Sequence, residues 1–328
     1  MAGPRSLSAT APPRGHASPR CSPGRGGTAR RQRSARHTAI VPRFRNFVAI
    51  DWSGAAGERH RGIAVALCTA GRGAPALIRP DHVWSRGEVL DWLLADLPPE
   101  TLVGIDLGFA LPFADTGAYF PGWPDSPPDA RALWALVDRI SADNAHFGVA
   151  SVVDHADLAR HYRRHGGRAG DLFTPGRGRL RVTEEAQRRA GLNPVSNFNL
   201  VGAAQVGKAS LTGMRVLHRL AGRLPVWPFD PDPGHGAILV EIYTSLAALT
   251  AGRPRGRSKM RTGEDLDQAL AALASDPVGI TGTISDHRSD ALLTAASLRH
   301  VADDPALWHP AGLTPEIART EGWTFGVA

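Results

Sequence analysis

FVAIDWSGA, residues 47–55, opens on a run of buried-strand character, ends that run on an acid and breaks at once into the turn formers Ser53 and Gly54. TLVGID, Thr101–Asp106, repeats the pattern, with apolar residues leading to a terminal acid. Between the two, Gly62–Thr69 (GIAVALCT) reads as a second strand and Ala76–Trp84 as a third, weaker one. Ser85 with Glu88 forms a capping box ahead of Val89, Leu90, Leu93, Leu94 and Leu97, which predicts a helix that stops before Pro98. Three closely spaced strands, a helix and a strand predict a β-meander entering a parallel crossover.

Downstream, Phe109–Pro128 is a loop rich in Pro, Gly and aromatics, and Arg168–Arg181 is a Gly/Arg loop. Helices are expected over Ala130–Ala145, Val152–His165 and Leu200–Leu220, and a clear strand over Ala237–Tyr243 (AILVEIY). Thr262 and Asp265 cap a helix through Leu273, and a last helix is expected from Thr283 to Val301. The pattern is that of one α/β domain, residues 44–328, with a large central insertion around 113–236.

Of the 328 residues, 42% are apolar, enough for a sizeable core, and no stretch approaches the ~18 uninterrupted apolar residues of a membrane span. Two cysteines, Cys21 and Cys68, make neither a disulfide framework nor a cysteine-rich zinc site, and suit a cytoplasmic protein. The net charge of +7 misleads: residues 1–45 hold ten arginines and no acid, so residues 46–328 carry −3. The basic balance is therefore no argument for a nucleic-acid face on the body. Lysine stands only at positions 208 and 259, a skew that GC-rich coding explains. Residues 1–43 have the composition of a disordered basic tail, or of an overlong start to the reading frame. Pro4, Pro12, Pro13, Pro19 and Pro23 would interrupt the amphipathic helix of an organellar transit peptide.

The acids carry the chemical signal. Asp51 and Asp106 end buried-strand runs, Glu241 sits in the late strand, and Asp286 and Asp290 lie four apart on the last helix. In parallel α/β sheets, ligands bind beyond the carboxyl ends of the strands. Converging carboxylates repel unless a cation holds them, and hard oxygen donors suit Mg²⁺ or Mn²⁺. Two such ions about 4 Å apart can activate water and stabilise the leaving oxygen of a phosphodiester. Each acid also has a plainer reading. Asp51 and Asp106 could start turns, Asp286 could cap with Thr283, Asp290 could face a helix dipole, and Glu241 could be a paired structural acid.

FVAIDWSGA (47–55), GIDLGFALP (104–112), VEIYTS (240–245), DHRSDALLTA (286–295) and EGWTFGV (321–327) together resemble the domain-of-unknown-function family numbered four hundred and twenty-nine. The likeness runs in order from about residue 46 to the end. It implies a ribonuclease H-like mixed sheet with flanking helices and the activity of a predicted nuclease. Carried over residue by residue, the family's acidic positions fall on Asp51, Asp106, Glu241, Asp286 and Asp290.

On this reading Asp51, Asp106 and Asp290 bind a pair of Mg²⁺ or Mn²⁺ ions, while Asp286 and Glu241 complete or orient the shell. His287 is an acid/base or water-positioning group, and Arg177, Arg179 and Arg181 form a cluster able to meet a substrate phosphate. The substrate is a nucleic acid or a nucleotide, with no membrane partner. Other motifs are absent or thin: there is no Walker A, no dinucleotide fingerprint and no serine elbow, and His161 with His165 lacks a third zinc ligand. Trp123, Trp227 and Trp323 could stack bases or pack. Two rival readings stay open. One is a phosphotransferase of the actin-like superfamily, with Asp51, Ser53 and Gly54 facing nucleotide phosphates; the other is a catalytically silent binding protein of the same fold.

Overall fold

The computed structural model describes residues 43–202, 206–254 and 259–328, all within one compact unit, Val41–Ala328. The expected tail lies outside the described residues except for Arg43. That residue pairs with Asp232, and its guanidinium lies 4.5 Å from the Phe44 ring centroid and 5.3 Å from that of Trp308.

The frame is a five-stranded mixed sheet in the order β3-β2-β1-β4-β5. β1 (Asn46–Asp51) runs antiparallel to β2 (Ala64–Thr69), which pairs with the two-residue edge strand β3 (Ala76–Leu77). On its other side β1 runs parallel to β4 (Thr101–Asp106), and β4 parallel to β5 (Ile238–Glu241). The third strand is thus much shorter than the expected Ala76–Trp84, because Arg79 takes a positive φ of 52° that ends the pleat.

Helices cover both faces, which is why β1 and β4 read as nearly continuous apolar runs rather than alternating ones. Val48, Ile50, Val103 and Ile105 point into one core. That face is closed by α1 (Arg86–Ala95), α2 (Ala130–Ile140) and α5 (Val206–Leu220). Phe47, Ala49 and Leu102 point into the other core, under α6 (Thr244–Thr250), α7 (Gly263–Ala272) and α8 (Asp286–Val301). Gly104 belongs to this second face, where a Cβ would come within 2.6 Å of Ile242. The β4–β5 crossover, residues 107–237, carries α2, the one-turn α3 (Ala150–Val153), α4 (Val182–Arg189) and α5. The short helices α9 (Pro305–Trp308) and α10 (Pro315–Thr320) lead to the C-terminus.

Two further expectations change. Val152–His165 is not one helix: α3 stops at Val153 and only a 3₁₀ turn, Leu158–His161, follows. His155 Nδ1 accepts from Asp157 N at 3.3 Å, a local turn that competes with helix propagation. The cap of α8 is Ser285, whose Oγ accepts from Arg288 N at 3.4 Å, whereas Thr283 bridges to Thr262.

The capping box of α1 forms in both directions, Glu88 N to Ser85 Oγ at 3.1 Å and Ser85 N to Glu88 Oε2 at 2.7 Å. Burial works against the Glu88 carboxylate, but the Ser85 N–H, His82 and Arg59 outweigh it and hold its pKa down to about 2. A depressed carboxylate stabilises the fold above its ordinary value and loses that contribution as pH falls from 4.5 towards 2. Glu88→Gln should therefore lose about 1 kcal/mol at pH 7, after allowance for solvent screening. The gap to wild type should close as the pH is lowered through that window in urea melts, and a gap unchanged at pH 2.5 would refute the assignment.

Candidate active site

β1 and β4 end in register, Asp51 beside Asp106, at the carboxyl edge of the two central parallel strands. Because side chains alternate along a strand, both acids share the face of Ala49 and Leu102, over which α8 packs. Asp290, on the buried side of α8, is near enough for its charge to bear on Asp106. Asp51 and Asp290 are 7% and 6% exposed, deep enough for their mutual repulsion to matter. Loss of hydration, then the facing Asp51 carboxylate, push the Asp106 carboxyl well above the usual range, with Asp290 adding to the push. A hydrogen bond from Thr244 Oγ1 to Asp106 Oδ2 at 3.0 Å opposes this. Burial likewise pushes Asp290 up to about 6, with Asp51 and Asp286 reinforcing the shift and Lys259 opposing it.

Two groups able to carry positive charge meet these acids. His287 Nδ1–H donates to Asp51 Oδ2 at 2.5 Å, and that bond raises the imidazole pKa against the effect of burial. Lys259 Nζ–H donates to Asp290 Oδ2, and the Asp290 carboxylate raises the ammonium's pKa against burial. Asp286, one helical turn before Asp290, stands at the half-buried rim.

Glu241 is elsewhere. Its register partner is Ile105, not Asp106, so its side chain projects from the opposite face of the sheet. Arg181 grips it with two hydrogen bonds of 2.7 Å, Phe109 N–H donates at 2.7 Å and Thr324 Oγ1 at 2.5 Å. It is a paired buried acid that ties the loop after β4 to the C-terminus, the plainer of its two readings. The arginine cluster is likewise committed. Arg181, at 2% exposure, also donates to Glu184 and to the Glu321 carbonyl. Arg179 binds Asp115 and three carbonyls, and Arg177 binds Asn193. Arg179 and Arg181 thus have their donors turned into the protein, away from any substrate phosphate.

The loop behind Asp51 is built to be rigid. The buried Arg86 donates to Ser53 O at 2.8 Å and to Ala55 O at 2.6 Å, without a carboxylate partner among the described residues. Gly54 lies so close to α5 that a Cβ would sit 2.3 Å from Ala209 N. Arg86, Thr244 and Lys259 were not among the expected site residues. For Lys259 the compositional signal is that it is one of two lysines in a chain that otherwise uses arginine.

His161 is buried against Phe120 and Phe198, where desolvation, with Arg179 and Arg160, lowers its pKa to about 4. Trp227 and Trp323 are core residues, and Trp123 packs edge-on against Phe120 and His155. Among the described residues no three His, Cys, Asp or Glu side chains are grouped as a ready-made metal shell, and no helix is long and apolar enough to cross a membrane. Comparison with family models, curated proteins and solved structures finds no match to this chain.

Proposed function

We propose that the chain is a metal-dependent hydrolase of phosphodiester bonds, built on a ribonuclease H-like core as its resemblance to the family of predicted nucleases implies. The observation that carries the reading is the in-register pair Asp51–Asp106, closed by Asp290 from α8. The donor set fits Mg²⁺ or Mn²⁺ in its chemistry: hard carboxylate oxygens whose mutual repulsion a divalent cation would relieve. Asp51, Asp106 and Asp290 would hold it, with Asp290 giving up its contact to Lys259. Bound there, the metal would supply an activated water and charge stabilisation at the leaving oxygen. The chain's own groups do the rest. His287, half exposed and with its pKa raised by the bond to Asp51, can exchange a proton at the rim of the site. Lys259, half exposed, can neutralise phosphate charge once released from Asp290. Thr244 fixes the Asp106 carboxylate, and the Arg86 clamp holds the Ser53–Ala55 backbone behind Asp51.

The test is thermodynamic. A cation that binds only the folded protein stabilises it by about 2.7 kcal/mol at a hundredfold excess over Kd, a rise in Tm on the order of 5 °C for a domain of this size. Mg²⁺ or Mn²⁺ should produce that rise in wild type and not in Asp51→Asn. A melting curve unchanged across millimolar metal would overturn the reading, whereas an ATP-dependent rise would favour the phosphotransferase rival.

A further inference from the structure

A groove of about 460 Å³ opens between the start of β2, the segment after β3 and the first turn of α8. Four of its lining residues are basic, Arg61, Arg79, His82 and Arg288, against the single acid Asp81. Arg61 is exposed and has no ion-pair partner among the described residues. Arg288 donates to Pro80 O and stands 4.0 Å from an Asp81 carboxylate that is almost fully exposed, a contact that solvent screens. Arg79 lies over the Trp84 ring, 5.0 Å from its centroid, and 3.7 Å from Asp96.

The groove and the carboxylates share a wall. Ala64, which lines the groove, is the register partner of Asp51. His287, bonded to Asp51, directly precedes Arg288, and a Cβ on Gly62 would come within 3.3 Å of the His287 ring. Arg288 in the groove and His287 on Asp51 are thus neighbours in the first turn of α8. The groove's volume suits one nucleotide unit.

We propose that this groove seats the phosphodiester next to the scissile one, gripped by Arg61 and Arg288, so that the substrate is a polynucleotide strand rather than a free mononucleotide. The proposal rests on the hydrolase reading for what happens to the strand, but binding can be measured without catalysis. The probe is a fluorescein-labelled single-stranded dT octamer, titrated with the full chain in EDTA over a range of salt concentrations. Arg61→Gln combined with Arg288→Gln should weaken binding about tenfold and reduce the slope of log K against log salt by about 1.4, the value for two lost phosphate contacts on a single strand. The exposed arginines Arg189 and Arg223, replaced together by Gln, control for the general charge of the chain and should leave both quantities unchanged. Arg61→Gln alone, which breaks no ion pair among the described residues, should lower the slope by about 0.7 and keeps the test valid if the double variant folds poorly. Equal weakening in groove and control variants, no weakening in either, or no binding by wild type would overturn the proposal. A missing metal-linked rise in Tm would sink the hydrolase reading instead, and the binding result would show that the two had failed separately.

Discussion

Asp106→Asn is expected to abolish hydrolysis and raise stability together. In metal-dependent phosphodiester cleavage, loss of one metal-holding carboxylate removes several kcal/mol of transition-state stabilisation, a fall in turnover of about 10³-fold. In EDTA the same change removes a carboxylate that is penalised by lost hydration and by the facing Asp51 and Asp290. The Asn side chain keeps an oxygen able to accept from Thr244. The metal-free variant should thus melt a few degrees above wild type, corresponding to about 1–2 kcal/mol. A panel of single-stranded, double-stranded and branched DNA, RNA and hybrid substrates with Mn²⁺ reads the first effect, and calorimetry reads the second. Activity equal to wild type would point to a contaminating nuclease. A variant less stable than wild type in EDTA would show that the three carboxylates do not repel one another as placed.

Glu241→Gln is expected to behave in the opposite way. It leaves the Arg181 guanidinium, at 2% exposure, with Glu184 as its one carboxylate partner among the described residues and weakens the bonds from Phe109 N–H and Thr324. Breaking a buried ion pair from one side costs about 3–5 kcal/mol, a fall in Tm on the order of 10 °C. The metal-linked rise in Tm should survive, because Glu241 projects from the face of the sheet opposite to Asp51 and Asp106. Loss of that rise with little change in basal stability would return Glu241 to the metal site. Comparing these two variants separates an acid that would hold a cation from one that holds the fold.

Much of the frame was legible because local rules and tertiary structure agree. FVAID and TLVGID are strands buried on both faces, so neither alternates, and each ends where a polar residue meets the sheet edge. The Ser85–Glu88 box closes within one helical turn and needs no distant partner. Where distant groups compete, legibility fails. Thr283 has the spacing of a cap but is drawn into a bridge with Thr262, so Ser285 caps α8 instead. The third strand is cut short at Arg79, and the segment Val152–His165 folds as separate turns.

That acids stand at the ends of two buried strands and on one face of a late helix is legible from local pattern, because strand run, turn and helical spacing are local properties. Which acids meet is a matter of long-range packing. A carboxylate's side of the sheet depends on the parity of its register with neighbouring strands. One residue of offset places Glu241 opposite Ile105 and into the grip of Arg181, while Asp51 and Asp106 face Asp290. Register is a long-range quantity, set by how both faces bury their apolar side chains. For the same reason Lys259, far from Asp290 in sequence, becomes its partner only after α8 has packed across β1 and β2.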